Sequence, residues 1–157
     1  MKKIILDTSA LVEGIVVTAR EDFEYYITSS VLKELESKLE PAKVEMLESL
    51  GVRKADPSVA TLRKVEGIVS LLGETPRLSK VDIDILALAI ELNATILTDD
   101  YSIQNVAEEI GIKCLAFAQK GITKKIIWKY QCVGCNKYFQ NFLKTCPICG
   151  HRIKTVR

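Results

Sequence analysis

Leu78-Ser79-Lys80-Val81-Asp82-Ile83-Asp84-Ile85-Leu86-Ala87-Leu88-Ala89-Ile90-Glu91-Leu92-Asn93-Ala94-Thr95-Ile96-Leu97-Thr98-Asp99-Asp100 reads as one helix followed by one strand. Ser79 is a capping residue type, and Ile83, Leu86, Ala87 and Ile90 fall on one apolar helix face. Ala94 to Thr98 is a short strand that ends on two acids.

The same alternation extends outward from this unit. Upstream, Lys2 to Leu6 suits a buried strand ending at Asp7, and Thr8-Ser9-Ala10-Leu11 starts a helix. Tyr25 to Thr28 is β-branched and aromatic, hence a strand, after which Ser29 or Ser30 caps a helix through Leu39. Pro41 opens a helix closed by Gly51, Val52 to Ala55 is a strand, and Pro57 begins a helix to about Leu72. Downstream, Tyr101 to Ile110 is a helix stopped by Gly111, and Ile112 to Phe117 is a last strand. Strands alternating with helices over residues 1–118 predict an α/β domain, three-layered, with a central parallel sheet. Residues 119–123, containing Gln119-Lys120-Gly121, read as a linker. Residues 124–157 are too few for a self-sufficient hydrophobic core.

The net charge of +2 conceals two opposite parts. Residues 1–109 hold 12 bases and 20 acids, a balance of −8, and residues 110–157 hold 10 bases and no acid, a balance of +10. This asymmetry points to an anionic partner. At 48% hydrophobic and 27% charged, the composition is that of a globular protein. No apolar run approaches the ~20 residues of a membrane span, so no membrane partner is expected. The first apolar run stops at Asp7 after three residues, which leaves no signal-peptide core. A cytoplasmic protein, monomeric or weakly oligomeric, is expected.

Cys132, Cys135, Cys146 and Cys149 form two C-x-x-C pairs ten residues apart, with Cys114 standing alone. Without an export signal this reads as metal ligation rather than disulfides. Four thiolates suit structural Zn²⁺ in a closed tetrahedron, and the intervening Asn136 to Thr145 allows a short hairpin, hence a zinc ribbon. His151 is a surface residue on this reading, because the cysteines already fill the site. Lys129, Tyr130, Lys137, Tyr138, Lys144, Arg152 and Lys154 interleave cations with aromatics, the combination that phosphate contact and base stacking require. Trp128 and Arg157 belong to the same basic and aromatic set. Phe139 and Phe142 are assigned to the ribbon's own core.

Asp7, Glu34, Asp82 and the Asp99-Asp100 pair each fall at a strand C-terminus or a helix start. In an open parallel sheet these positions lie along one edge. Clustered carboxylates stay ionised together when a divalent cation opposes their charge, and hard oxygen ligands suit Mg²⁺ or Mn²⁺. Such ions orient a phosphodiester, activate water and stabilise a departing alkoxide. Each acid also has a structural role open to it. Asp82 stands three residues after Ser79, as in a capping box. Asp99 or Asp100 can cap the next helix, and Glu34 can sit favourably near a helix N-terminus. Asp84, about 200° around the helix from Asp82, is expected to point elsewhere. The single histidine excludes a histidine-pair ribonuclease mechanism.

In order and spacing, Asp7-Thr8-Ser9, Ser30 to Leu35, Leu78 to Ala89 and Thr98-Asp99-Asp100 resemble a PIN-domain nuclease over about residues 1–118. That resemblance implies a metal-dependent RNase whose four acids are Asp7, Glu34, Asp82 and Asp100, with Asp99 a close alternative. Thr8, Ser9 and Thr98 match the family's supporting polar residues. The stretch Asp99 to Asn105 followed by the four-cysteine module is similar to the ribosome-assembly branch of the family, in its compact archaeal form. This implies Mn²⁺-favouring cleavage of precursor small-subunit rRNA at its mature 3′ end, on pre-ribosomal particles. Two other readings remain open. One is a toxin-type PIN ribonuclease, against which the extra ribbon speaks. The other is a non-catalytic RNA-binding assembly factor, against which the complete acid set speaks.

Overall fold

The structure is a computed structural model that describes residues 1–12, 22–73, 77–116, 129–141 and 143–156. The chain divides into two compact units, Met1–Ile122 and Thr123–Arg157. The expected linker 119–123, together with Phe117, Trp128, Phe142 and Arg157, lies outside the described residues.

The first unit is built on five parallel strands. They are β1 (Lys2–Leu6), β2 (Phe23–Ile27), β3 (Arg53–Lys54), β4 (Thr95–Leu97) and β5 (Cys114–Leu115), in the spatial order β3-β2-β1-β4-β5. The chain runs outward from β1 through β2 to β3, returns to β4 on the other side of β1, and ends at β5. Right-handed crossovers on a sheet wound in both directions place helices on both faces. The direction reverses between β1 and β4, which opens a crevice beyond their C-terminal ends, where α/β proteins build their sites.

Helices α1 (Thr8–Val12), α2 (Ser29–Lys38), α3 (Pro41–Ser49), α4 (Val59–Leu71), α5 (Lys80–Leu92) and α6 (Tyr101–Glu109) connect these strands. The core joins Ile4, Ile5 and Leu6 of β1 with Val31 and Leu35 of α2, Ile85, Leu86 and Leu88 of α5, Ile96 of β4 and Ile103 of α6. Burial of such side chains stabilises by roughly 1.5–3 kcal/mol each. Two helix starts differ from the sequence expectation. The N-cap of α2 is Thr28, whose side chain accepts from Val31 N–H at 3.2 Å, rather than Ser29 or Ser30. Ser29 is instead held by Asp56, through both its N–H (2.8 Å) and its hydroxyl (2.5 Å). Helix α4 begins after Pro57, at Val59, because Ser58 is its cap; Ser58 also bonds Glu91 of α5. Glu34 lies in the second turn of α2, not the first. Gly51 and Gly111 stop α3 and α6 at φ 84° and 77°, a region that strains other residues.

Gly67 lies inside α4, and a Cβ there would meet nothing within 4 Å. Gly67→Ala is therefore expected to stabilise the protein by about 0.5–1 kcal/mol. Thermal unfolding should show a rise of about 2–4 °C per kcal/mol; a lower midpoint would mean that the helix does not accept the methyl group.

The second unit is a three-stranded antiparallel sheet in the order β7-β6-β8: β6 (Lys129–Cys132), β7 (Tyr138–Phe139) and β8 (Ile153–Val156). The expected hairpin between the two cysteine pairs is not how this unit is built. The first pair sits in the turn between β6 and β7, and an isolated bridge between Thr145 and Arg152 brackets the second. Each C-x-x-C thereby occupies the turn of its own antiparallel pair.

Candidate functional site

Strand register brings the acids together. Leu6 pairs with Leu97, so Asp7 and Thr98 leave adjacent strands side by side. Thr98, fully buried, donates its hydroxyl to Asp7 Oδ2 at 2.7 Å, and Ser9 donates to the same oxygen at 2.9 Å. Thr8, at the start of α1, donates to Glu34 Oε2 of α2 at 2.7 Å. Asp82 completes a capping box with Ser79: its Oδ2 accepts from Ser79 N–H at 2.7 Å, and Ser79 Oγ accepts from Asp82 N–H at 3.2 Å. Asp100 N-caps α6, accepting from Ser102 N–H through Oδ1 at 2.7 Å, while its own N–H donates to Thr98 Oγ1 at 3.0 Å. The structural roles weighed for Asp82 and Asp100 are thus both filled, and they coexist with placement in the cleft.

An open cleft of about 470 Å³ is lined by Asp7, Thr8, Ser9, Val12, Glu34, Lys38, Asp82, Asp99 and Asp100. All five acids named from the sequence reach it. Asp84 does not; it is buried and accepts from Ser30 Oγ instead. Neutral hydroxyl and N–H groups hold Asp7, Glu34, Asp82 and Asp100. Glu34, Asp82 and Asp100 each commit one carboxylate oxygen to such a bond. Among the described residues the other oxygen carries none.

The electrostatics follow from this arrangement. Burial pushes the Asp7 carboxyl above its ordinary value against the bonds from Thr98, Ser9 and the Thr8 backbone, and Asp100 adds to the rise. Burial likewise pushes Asp82 up to about 6, opposed by Ser79 and reinforced by Asp100 and Asp7. Oriented carboxylates gathered in one cleft are a hard-oxygen donor set that fits Mg²⁺ or Mn²⁺.

Two contributors carried no signal in the sequence. Lys38, at the end of α2, is a cation on the lining of the acidic cleft. Its i+4 spacing from Glu34 shows only in retrospect. Gln104, buried in α6, donates to the Thr98 carbonyl at 2.9 Å and braces the turn that presents Asp99 and Asp100. An apolar helix period conceals such a residue.

In the second unit, single sulfur atoms of Cys132, Cys135, Cys146 and Cys149 lie within 4.8 Å of one another. Cys135 and Cys146 are 3.7 Å apart, Cys132 and Cys149 3.3 Å. A tetrahedral zinc–thiolate site, with Zn–S near 2.3 Å, has S···S edges of about 3.8 Å. Backbone N–H groups of Gly134 and Ile148 point at Cys132 and Cys146 sulfur, at 3.3 and 3.4 Å. This set fits Zn²⁺. His151 is exposed and stands outside the cluster, its Nδ1 3.3 Å from Cys149 Sγ. Its backbone, Cys132 and its ring lower the Cys149 thiol to about 7. Gly134 leaves room for that ring, because a Cβ there would lie 2.5 Å from Nδ1.

Of the residues assigned to RNA, Lys129, Lys137, Tyr138, Lys144, Arg152 and Lys154 are exposed. Tyr130 is corrected: at 2% exposure on the central strand β6, it is buried and offers no face to a base. Phe139 is half-buried. Among the described residues no helix is long and apolar enough to cross a membrane.

Residues 4–92 match the family described as the PIN domain of ribonuclease, and residues 78–126 match a PINc domain ribonuclease. The endoribonuclease Nob1 of Pyrococcus abyssi is 36% identical, covering 98% of this chain and 93% of its own. The ribonuclease VapC1 of Thermoplasma acidophilum is 38% identical, covering 96% of this chain and 76% of its own. In fold the chain is similar to VapBC2 of Rickettsia felis, solved bound to a DNA fragment from its promoter. The TM-score is 0.57 at 19% identity, over 73% of this chain and 98% of that one.

Proposed function

Since the chain belongs to the PIN-domain ribonucleases, we propose that it is a Mn²⁺- or Mg²⁺-dependent endoribonuclease that cuts precursor small-subunit rRNA at its mature 3′ end, on the pre-ribosomal particle. The observation that carries the metal dependence is the cleft at the β1/β4 crevice, where five acids converge and hydroxyl and N–H groups orient Asp7, Glu34, Asp82 and Asp100. The choice of RNA rests on near full-length similarity to Nob1, in an alignment that spans this chain's four-cysteine module.

Asp7, Glu34, Asp82 and Asp100 hold the ions, with Asp99 beside them. When bound, Mn²⁺ or Mg²⁺ supplies Lewis acidity toward the phosphodiester and toward water. Thr98, Ser9 and Thr8 aim Asp7 and Glu34, and the Ser79 cap fixes Asp82. Lys38 meets a phosphate of the substrate at the cleft's rim. Zn²⁺ on the four cysteines is structural, with no ligand position open for chemistry. Lys129, Lys137, Lys144, Arg152 and Lys154 contact phosphates, and Tyr138, 62% exposed, stacks on a base.

A second reading is favoured by one observation. VapC1 of T. acidophilum aligns over 96% of this chain, so the C-terminal module does not separate the toxin-type ribonucleases from the rRNA-processing ones. The deciding experiment incubates the full chain and Mn²⁺ with RNA spanning the small-subunit 3′ end, and separately with tRNA and mRNA, and maps the cuts. One cut at the mature 3′ end, leaving a 5′-phosphate and a 3′-hydroxyl, is expected. Lys38→Ala should raise KM about tenfold there and reduce the salt dependence of binding by about one phosphate contact. Preferential cutting of tRNA or mRNA would transfer the assignment to the toxin-type reading.

A further inference from the structure

A one-way chain of hydrogen bonds runs between the two helices that carry Glu34 and Asp82. Thr28, fully buried, accepts from Val31 N–H at 3.2 Å and lies 3.0 Å from Ser30 Oγ. Ser30 Oγ lies 2.6 Å from Asp84 Oδ2. The supply of protons sets the direction. A carboxylate accepts only, so the one hydroxyl proton of Ser30 goes to Asp84. Thr28 must then donate its hydroxyl to Ser30 Oγ and accept from Val31 N–H through a lone pair. The chain starts at the N-terminal backbone of α2 and ends on a carboxylate of α5 that is 8% exposed.

We propose that Asp84 is a positioning residue of the nuclease site. Through Ser30 and Thr28 it holds the start of α2 against α5, and so sets the separation of Glu34 from Asp82. Ser30 stands four residues before Glu34 on α2, one helical turn away, and Asp84 stands two residues after Asp82 on α5. Thr28 already caps α2, so the cap alone does not call for a buried acid on another helix. Among the described residues no cation pairs with Asp84, and burying a carboxylate is unfavourable unless its bonds serve a purpose. A negative group facing the N-terminus of α2 is favoured by the helix dipole, which tightens the clamp. Groups that orient metal-binding carboxylates from behind typically change metal affinity tenfold or more when removed. The inference rests on the proposed reading that Glu34 and Asp82 share a metal site.

The test compares wild type, Asp84→Ala, Ser30→Ala and Asp84→Asn by Mn²⁺ titration calorimetry, by kcat and KM for RNA, and by thermal unfolding. Asp84→Ala and Ser30→Ala are expected to weaken Mn²⁺ binding about tenfold and to lower kcat similarly, with KM for RNA within twofold. Asp84→Asn keeps an oxygen acceptor for Ser30 and should recover most of both. If Asp84→Ala does not fold, Ser30→Ala carries the measurement, since it removes the link and keeps the Thr28 cap. Lower melting temperatures with wild-type Mn²⁺ affinity and kcat in Ser30→Ala would overturn the clamp while leaving the proposed function standing. If wild type binds no Mn²⁺ and cleaves without it, the functional reading itself fails and takes the clamp with it.

Discussion

Replacing Asp7 by Asn is expected to reduce RNA cleavage by about a thousandfold or more while leaving the fold intact. Asp7 is 6% exposed at the end of β1, and Oδ2 accepts both the Thr98 and Ser9 hydroxyls. An asparagine carbonyl can accept the same two bonds in nearly the same volume, so what is lost is the charge. The metal-free protein should not be weakened, because burial already disfavours the Asp7 anion. Turnover equal to wild type would end the metal-nuclease assignment.

The same electrostatics sets a pH dependence of unusual sign. Asp7 and Asp82 both have raised folded-state values, Asp82 to about 6 against an ordinary 3.8. The folded protein therefore binds their protons more tightly than the unfolded chain. Their unfavourable contribution is present above the folded value and disappears as pH falls below the unfolded one. Metal-free protein should grow more stable as pH is lowered from about 7 toward 5, by about 1–2 kcal/mol once solvent screening of half-buried Asp82 is allowed for. Asp56 and Glu91 work in the opposite sense, since hydrogen bonds from Ser29 and Ser58 lower them, but their contribution fades only below their ordinary values of 3.8 and 4.5. Mn²⁺ should flatten the profile by favouring the ionised carboxylates. Asp7→Asn should also shrink it, because Asp7 helps to raise Asp82. Melting curves between pH 5 and 7.5, with and without Mn²⁺, provide the check.

The second large effect is removal of zinc. Among the described residues of the second unit, only Tyr130, Cys132 and Cys146 are buried apolar or thiol side chains. That is far too little apolar surface to offset the conformational entropy of some thirty ordered residues. A structural zinc site supplies on the order of 10 kcal/mol. Cys135→Ser, or a strong chelator, is therefore expected to unfold residues 129–156 while the first unit keeps its thermal transition. RNA affinity should fall about tenfold or more, with a shallower salt dependence as the ordered basic surface is lost. Amide chemical-shift dispersion in the full chain reads both units at once. Retained ribbon dispersion in protein shown to be zinc-free would refute a metal-dependent module.

Several features could be read without coordinates because their causes are local. The buried strand of β1 spans the residues expected, since its apolar run ends sharply at Asp7. Ser79 caps α5 with Asp82 closing the box, a motif contained in four residues. The cysteine spacing anticipated four sulfurs in one cluster. Other features escaped because several candidates stood side by side. Thr28, Ser29 and Ser30 can each cap a helix, and the choice fell to Thr28 because Asp56 and Asp84 take the other two hydroxyls. Tyr130 looked like a stacking residue because its neighbours are basic, but on the central strand β6 it is buried.

Local periodicity, caps and ligand spacing thus determined the order of strands and helices, the parallel α/β class and the cysteine module, since each depends on residues a few positions apart. The pairing of β1 with β4, across some ninety residues, was decided only by tertiary structure, and it sets Asp7 beside Thr98. The same long-range packing put Asp82 in the cleft and turned Asp84 to Ser30, although both acids lie on one helix. Which face of a helix meets a sheet or a neighbouring helix is set by the burial of the whole core, and no short stretch of sequence contains that information.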